Sequence, residues 1–220
     1  MYIKNIYIKR FYRLLFLLLC ELGLVLQYAV VAPTGNARML TCYYAVLTNL
    51  LALLYFFLLG VVRPKKEGAL LKGAVVIAIA ITGLVYHFML NGAIEANAGQ
   101  ITALHTLAGK LLHYVTPLMV FGDYLLFSPK GQFKGNFALI WLVLPTLYTV
   151  FILFRAHFGT GVFTGFHGRS RYPYPFMDVE LYGIPKVALM LGVMLILSFL
   201  LGYILFLLDH LLGKVHKDDD

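Results

Sequence analysis

Residues 101–127 read ITALHTLAGKLLHYVTPLMVFGDYLLF. A transmembrane helix needs roughly 20 apolar residues. This stretch has that length, yet it carries His113 near its middle. An ionisable side chain in hydrocarbon is costly, so it faces a bundle interior or a watery cavity and marks function. Five further apolar runs flank the stretch, at about 14–32, 40–62, 70–90, 137–154 and 187–208. Together they predict an all-α integral membrane protein, a six-transmembrane-helix bundle in a single domain covering 1–220.

The composition agrees. The 220 residues are 61% hydrophobic and 13% charged, with a mean hydropathy of +0.83, which belongs to polytopic membrane proteins rather than soluble domains. The first run is too long and too internally polar for a cleaved signal peptide, so it is read as retained. The net charge of +8 raises nucleic acid as a partner, but its distribution argues against that. Lys4, Lys9, Arg10, Arg13, Arg63, Lys65, Lys66, Lys72, Lys130, Lys134, Lys214 and Lys217 fall at one set of alternate run ends. Arg38, Arg155, Arg169, Arg171 and Lys186 fall at the other, and Lys110 lies inside a run. Positive residues accumulate on the cytoplasmic side. Both termini are therefore expected in the cytoplasm, in a multi-pass protein of the cell membrane that contacts lipid headgroups and no nucleic acid. Cys20 and Cys42 sit inside runs without ligand spacing and read as small buried hydrophobes.

Connections are short except for 155–186, which is rich in Gly, Arg, Tyr and Pro and by topology lies outside. A loop of that length is functional or disordered. Its aromatic content argues for packing, as a lid over the bundle mouth. The polar 217–220 tail is expected to fray.

Helix rise sets depth. At 1.5 Å per residue, Thr48 lies roughly 12 Å, His113 roughly 18 Å and Glu21 about 15 Å below the outer face. His87, Asn91 and His105 lie nearer that face, and Arg155, His157, Tyr174 and Asp178 belong to the outer loop. The inner half is mainly Leu, Val, Phe and Ile. A cavity open outward, or sideways into the outer leaflet, follows. Asp123 and Asp209 fall near the cytoplasmic ends and are expected to be solvated, and Lys110 to snorkel or line the cavity.

Histidine titrates near neutrality and serves as a general base. A hydroxyl nucleophile needs such a base beside it. The serines are Ser128, Ser170 and Ser198, none in G-x-S-x-G, so a nucleophile elbow is absent. Thr48 matches the depth of His113 best. An ordinary role competes, because threonine in a membrane helix often bonds its own i−4 carbonyl. For His113 the ordinary role is an interhelical hydrogen bond. A metal site competes as well: His87, His105, His113, Glu21 and Asp178 are suitable ligand types, but none shows ligand spacing.

Four elements resemble a known family of six-span proteins. They are Thr48-Asn49-Leu-Leu in the second run, Leu112-His113-Tyr-Val-Thr-Pro117 in the fourth, Pro145-x-x-Tyr148 in the fifth, and Tyr172-Pro-Tyr-Pro-Phe176-Met-Asp178 before the sixth. The family is the androgen-induced protein family with its bacterial integral membrane relatives, and the resemblance covers roughly residues 10–210. Its animal members are threonine hydrolases that cleave fatty acid esters of hydroxy fatty acids. The resemblance implies His113 as general base or acid and Thr48 as nucleophile. On this reading Glu21 or Asp178 orients the imidazole, and Asn49, Tyr174 or Arg155 stabilises the oxyanion, with His87 and His105 as nearby company. The substrate is a lipid ester drawn from the surrounding membrane lipids, no metal or other cofactor is required, and oligomeric state is left open. The alternatives are a transporter or ligand-binding membrane protein with a polar outward cavity, a metal-dependent membrane enzyme, and a purely structural subunit.

Overall fold

The computed structural model describes residues 2–34, 37–64, 67–92, 102–165 and 168–218. Of the residues named above, Lys65, Lys66 and Ile101 lie outside the described residues, as do positions 166–167 of the loop and 219–220 of the tail.

The apolar runs form helices, mostly longer than the runs themselves. Helix α1 spans Ile6–Val31, starting well before the run at 14 because the Asn5 side chain accepts from the amides of Tyr7 and Ile8 at 2.9 and 3.2 Å. That satisfies two of the amide donors a helix start leaves orphaned. Short 3₁₀ turns at Ala32–Thr34 and Ala37–Cys42 lead into α2, Tyr44–Phe57, which continues through a π turn at Leu58–Val62. Helix α3, Ala69–Val85, also ends in a π turn, Tyr86–Leu90. Helix α4 covers 103–127 and has its π turn in the middle, Leu111–Val115, between Ala103–Lys110 and Thr116–Phe127. Pro117 explains the position: it has no amide for the carbonyl of residue 113 and crowds it, and a wider turn relieves both. After α5 (Phe137–Ile140) and α6 (Val143–Phe158) comes a two-stranded antiparallel hairpin, β1 (Phe163–Gly165) and β2 (Gly168–Ser170). A single turn α7 (Val179–Tyr182) and the long α8 (Ile184–Asp218) complete the chain, so the expected fraying of the tail is not seen through residue 218.

Among the described residues the architecture is all-helical apart from that hairpin, and five helices are long and apolar enough to cross a membrane: Ile6–Thr34, Tyr44–Val62, Ala69–Leu90, Phe137–Phe158 and Ile184–Lys214. The chain is a multi-pass membrane protein. Helix α4 is not among the five; it is helical throughout, but Lys110, His113 and Asp123 interrupt its apolar surface. It nonetheless sits among them, packed against α1 and α3, while α8 packs against α3 and α5.

Helices in lipid associate through close packing rather than hydrophobic drive, so small residues mark the crossings. A side chain at Gly23 would reach Leu112 at 2.8 Å, and one at Gly83 would reach the His113 carbonyl at 2.9 Å. One at Gly73 would overlap the Trp141 indole, which is buried there and donates Nε1–H to the Leu70 carbonyl at 2.9 Å.

One end of the bundle is tied by charge. Arg13 of α1 donates to both oxygens of Asp123 of α4, at 2.8 and 3.3 Å, and to both oxygens of Glu67, each at 2.9 Å. Lys72 of α3 pairs with Asp123, and Lys9 reaches Glu67 at 2.6 Å. Arg13, Lys72 and Asp123 are all buried. The expectation that Asp123 and Asp209 are solvated is therefore corrected. Asp209 is also buried, accepting from the Tyr124 hydroxyl at 3.0 Å and the Phe133 amide at 2.8 Å. A buried carboxylate is costly unless it is paired or hydrogen-bonded: Asp123 is both, and Asp209 is held by the two hydrogen bonds.

Candidate active site

Toward the hairpin end, α2, α3, α4, α6 and α8 surround a narrow cavity. Its lining includes Tyr44, Thr82, His113, Tyr148, Tyr174 and Ser198 among apolar residues such as Ile81, Val85, Leu191 and Met194. Its volume is about 60 Å³. The 172–177 stretch contributes Tyr174, Phe176 and Met177 to the wall, as a lid would. A second, wider hollow of about 330 Å³ lies between α2 and α6, lined by Tyr44, Leu47, Thr48, Leu51, Leu144, Leu147, Tyr148 and Phe151. Tyr44 and Tyr148 belong to both and form the partition, their rings edge to face at 5.0 Å.

His113 sits on the π turn of α4. Its Nδ1 lies 3.0 Å from the Gly109 carbonyl, which can only accept, so Nδ1 carries the proton. Nε2 keeps its lone pair and has no hydrogen-bond partner among the described residues. The ring stacks on Tyr86 with centroids 4.0 Å apart and planes 20° off parallel. The imidazole is thus fixed in tautomer and in plane. A backbone carbonyl does the fixing, where the sequence had suggested Glu21 or Asp178.

Thr48 makes the ordinary i−4 bond to the Tyr44 carbonyl at 2.9 Å, and also touches the Ala45 carbonyl at 3.2 Å. Beyond that, its Oγ1 lies 2.7 Å from Thr82 Oγ1 across the α2–α3 interface. Thr48 lines the wide hollow; Thr82 and His113 line the narrow cavity. The hydroxyl pair therefore bridges the two spaces. Sequence reasoning missed Thr82, whose one signal was a hydroxyl within the apolar middle of the third run, between Lys72 and His87.

The remaining expected residues are placed elsewhere or otherwise engaged. Asn49 is completely buried; it donates to the carbonyls of Ala45 and Leu112 at 2.8 and 3.2 Å and accepts from Thr116 at 2.8 Å, clamping α2 onto the π turn. Arg155 spends its guanidinium on the loop, donating to the carbonyls of Arg171 and Gly161 at 2.7 and 2.6 Å and lying 4.7 Å over the Phe163 ring. Asp178 caps α7 through the Leu181 amide at 3.0 Å and accepts from Ser170 at 2.6 Å. Tyr174 lines the cavity, and its hydroxyl accepts from the Ala45 amide at 3.5 Å, at the start of α2 where no side chain caps. Burial pushes the Tyr174 phenol up, so it stays a neutral hydroxyl. Glu21 is exposed on α1, and His87 is exposed and bonded to the Tyr114 hydroxyl at 3.1 Å. His105 is half-buried on α4 and lines neither space. Among the described residues no three His, Cys, Asp or Glu side chains converge as a metal site would require.

A scan against protein-family profiles finds no match, and neither do searches of curated proteins and of solved structures.

Proposed function

We propose that the protein is an intramembrane hydrolase of long-chain lipid esters, with Thr48 as nucleophile, Thr82 as its proton relay and His113 as base. The observation that carries this reading is the 2.7 Å contact between the two threonine hydroxyls. It joins a hollow wide enough for an acyl chain to the cavity that holds an imidazole with a free Nε2. The resemblance of the 48–49, 112–117 and 172–178 elements to the androgen-induced protein family supports the same Thr and His. Helix α4 is read as the sixth span. The excess of Lys and Arg at one set of helix ends then puts both termini in the cytoplasm and the hairpin outside, in the cell membrane.

Substrate enters sideways between α2 and α6, its chain against Leu47, Leu51, Leu147 and Phe151. Thr48 Oγ1 attacks the ester carbonyl carbon while its proton passes to Thr82 and the Thr82 proton passes to His113 Nε2. The imidazolium returns the proton to the departing alkoxide, and the hydroxy-lipid leaves. His113 then takes a proton from a water that attacks the acyl-threonine, and returns it through Thr82 to the departing Thr48 oxygen as the fatty acid is freed. The Gly109 carbonyl holds Nδ1–H throughout, in the role an acid plays in a Ser-His-Asp triad. The scheme uses no diffusible cofactor.

The test is release of fatty acid from a fatty acid ester of a hydroxy fatty acid by purified protein in detergent. Thr48→Val and His113→Ala abolish release, and Thr82→Val lowers it by about 10²–10⁴-fold. A fluorophosphonate probe modifies Thr48, located by peptide mass. Full turnover by folded His113→Ala protein refutes the reading.

A further inference from the structure

We infer that the Tyr44 hydroxyl is the hydrogen-bond donor that holds the acyl carbonyl oxygen in this site, and afterwards the carboxylate of the fatty acid product. The inference rests on the hydrolase reading for the ester, but the binding of a fatty acid tests it separately. Tyr44 is only 8% exposed, and its hydroxyl has no hydrogen-bond partner among the described residues. Leaving a buried hydroxyl unpaired is costly, and each such group in a native fold asks for an explanation. The other two buried hydroxyls without partners among the described residues, on Tyr55 and Ser128, line neither space. Tyr44 lines both.

Its place on the helix fits the role. Tyr44 and Thr48 are one turn apart on α2, so they share a face. The phenol ring is held by the edge-to-face contact with Tyr148, whose own hydroxyl is committed to the Cys42 carbonyl at 2.9 Å. The neighbouring phenols of Tyr148 and Tyr174 thus serve the backbone, and Tyr44 alone of the three is uncommitted. A ligand that satisfies it must bring an acceptor oxygen to the partition while its chain lies in the apolar hollow. That describes an acyl carbonyl or a carboxylate on a long hydrocarbon chain. During attack by Thr48, negative charge develops on that oxygen, and a preorganised donor there stabilises it.

The experiment compares wild-type protein and Tyr44→Phe in detergent, using radiolabelled oleate, hexadecane and the ester substrate. Removing an unpaired hydroxyl leaves the fold intact, so the melting temperature of ligand-free Tyr44→Phe equals or exceeds that of wild type. Oleate binds the variant at least about tenfold more weakly, because one charge-assisted hydrogen bond is lost. Hexadecane, which has no acceptor, binds both equally. Equal oleate affinity overturns the inference, as does a wild-type protein that takes up no oleate. A marked fall in melting temperature overturns it too, because it reveals a structural partner for the hydroxyl. If Tyr44 governs oleate binding while no ester is cleaved, the hydrolase reading falls and the donor role of Tyr44 stands.

Discussion

Replacing Asp123 by Asn keeps the size of the side chain and removes its charge. Asp123 is 0% exposed and takes hydrogen bonds from Arg13 at 2.8 and 3.3 Å and from Lys72. Around it, Lys9, Arg13 and Lys72 contribute three positive charges against two negative ones from Glu67 and Asp123, a balance of +1. The Asn variant raises that balance to +2 around a position that is itself fully buried. Removing one partner of a buried ion pair costs about 3–5 kcal/mol, because Arg13 and Lys72, which still face Glu67 at 2.9 and 3.4 Å, lose the one counter-ion that is fully buried with them. At about 2–4 °C per kcal/mol for a chain of this size, the melting temperature in detergent falls by roughly 6–20 °C. Adding Lys72→Met removes the buried ammonium that has lost its nearer carboxylate and returns the balance to +1, so the double variant recovers at least half of the loss. Melting curves by near-ultraviolet circular dichroism give both numbers. An Asp123→Asn protein melting within about 2 °C of wild type refutes the view that this network holds α1, α3 and α4 together.

Three further outcomes follow from the same structure. Burial works against the Glu67 carboxylate, but hydrogen bonds from Arg13 and Lys9 and the charge of Lys72 hold its pKa at about 2, below the ordinary 4.5. Its stabilising contribution is therefore complete above about pH 4.5 and disappears as pH falls through about 2, so melting temperature drops more steeply over that interval in wild type than in Glu67→Gln. A Cβ added by Gly73→Ala displaces the Trp141 indole and breaks its bond to the Leu70 carbonyl. The variant loses about 1–3 kcal/mol, and emission from the single tryptophan shifts to the red. Arg155→Lys cannot bridge the Arg171 and Gly161 carbonyls at once, so limited proteolysis cuts between residues 159 and 171 faster while the melting temperature changes by only a few degrees.

Apolar runs announced the helices because hydrocarbon demands length and continuity, and those properties are local. Helix starts were less legible: α1 begins at a cap on Asn5, in a segment whose Lys4, Lys9 and Arg10 hide it from a hydropathy reading. The hairpin at Phe163–Ser170 was read only as loop, since strands of three residues leave no periodic signal. His113 was legible as a polar group in an apolar setting, and it does line a cavity. Asp123 and Asp209 carried the same signal and were read as solvated because they fall near run ends. Their partners lie 110 and 85 residues away, at Arg13 and Tyr124, where no spacing rule reaches. The supporting roles expected of Asn49, Arg155 and Asp178 rested on residue type and depth. Depth does not reveal that backbone carbonyls and amides had already engaged them.

The pairing of Arg13 with Asp123 also bears on how the chain is made. Ribosomes add about 5–20 residues per second, so the 110 residues between these two partners take about 5–20 s to synthesise. For that interval the leading helix carries a guanidinium with no counter-ion from the fourth. Glu67, 54 residues on, offers Arg13 a first partner, and Asp123 completes the charge network only when α4 arrives. Closure of this end of the bundle is in this way a late event in synthesis.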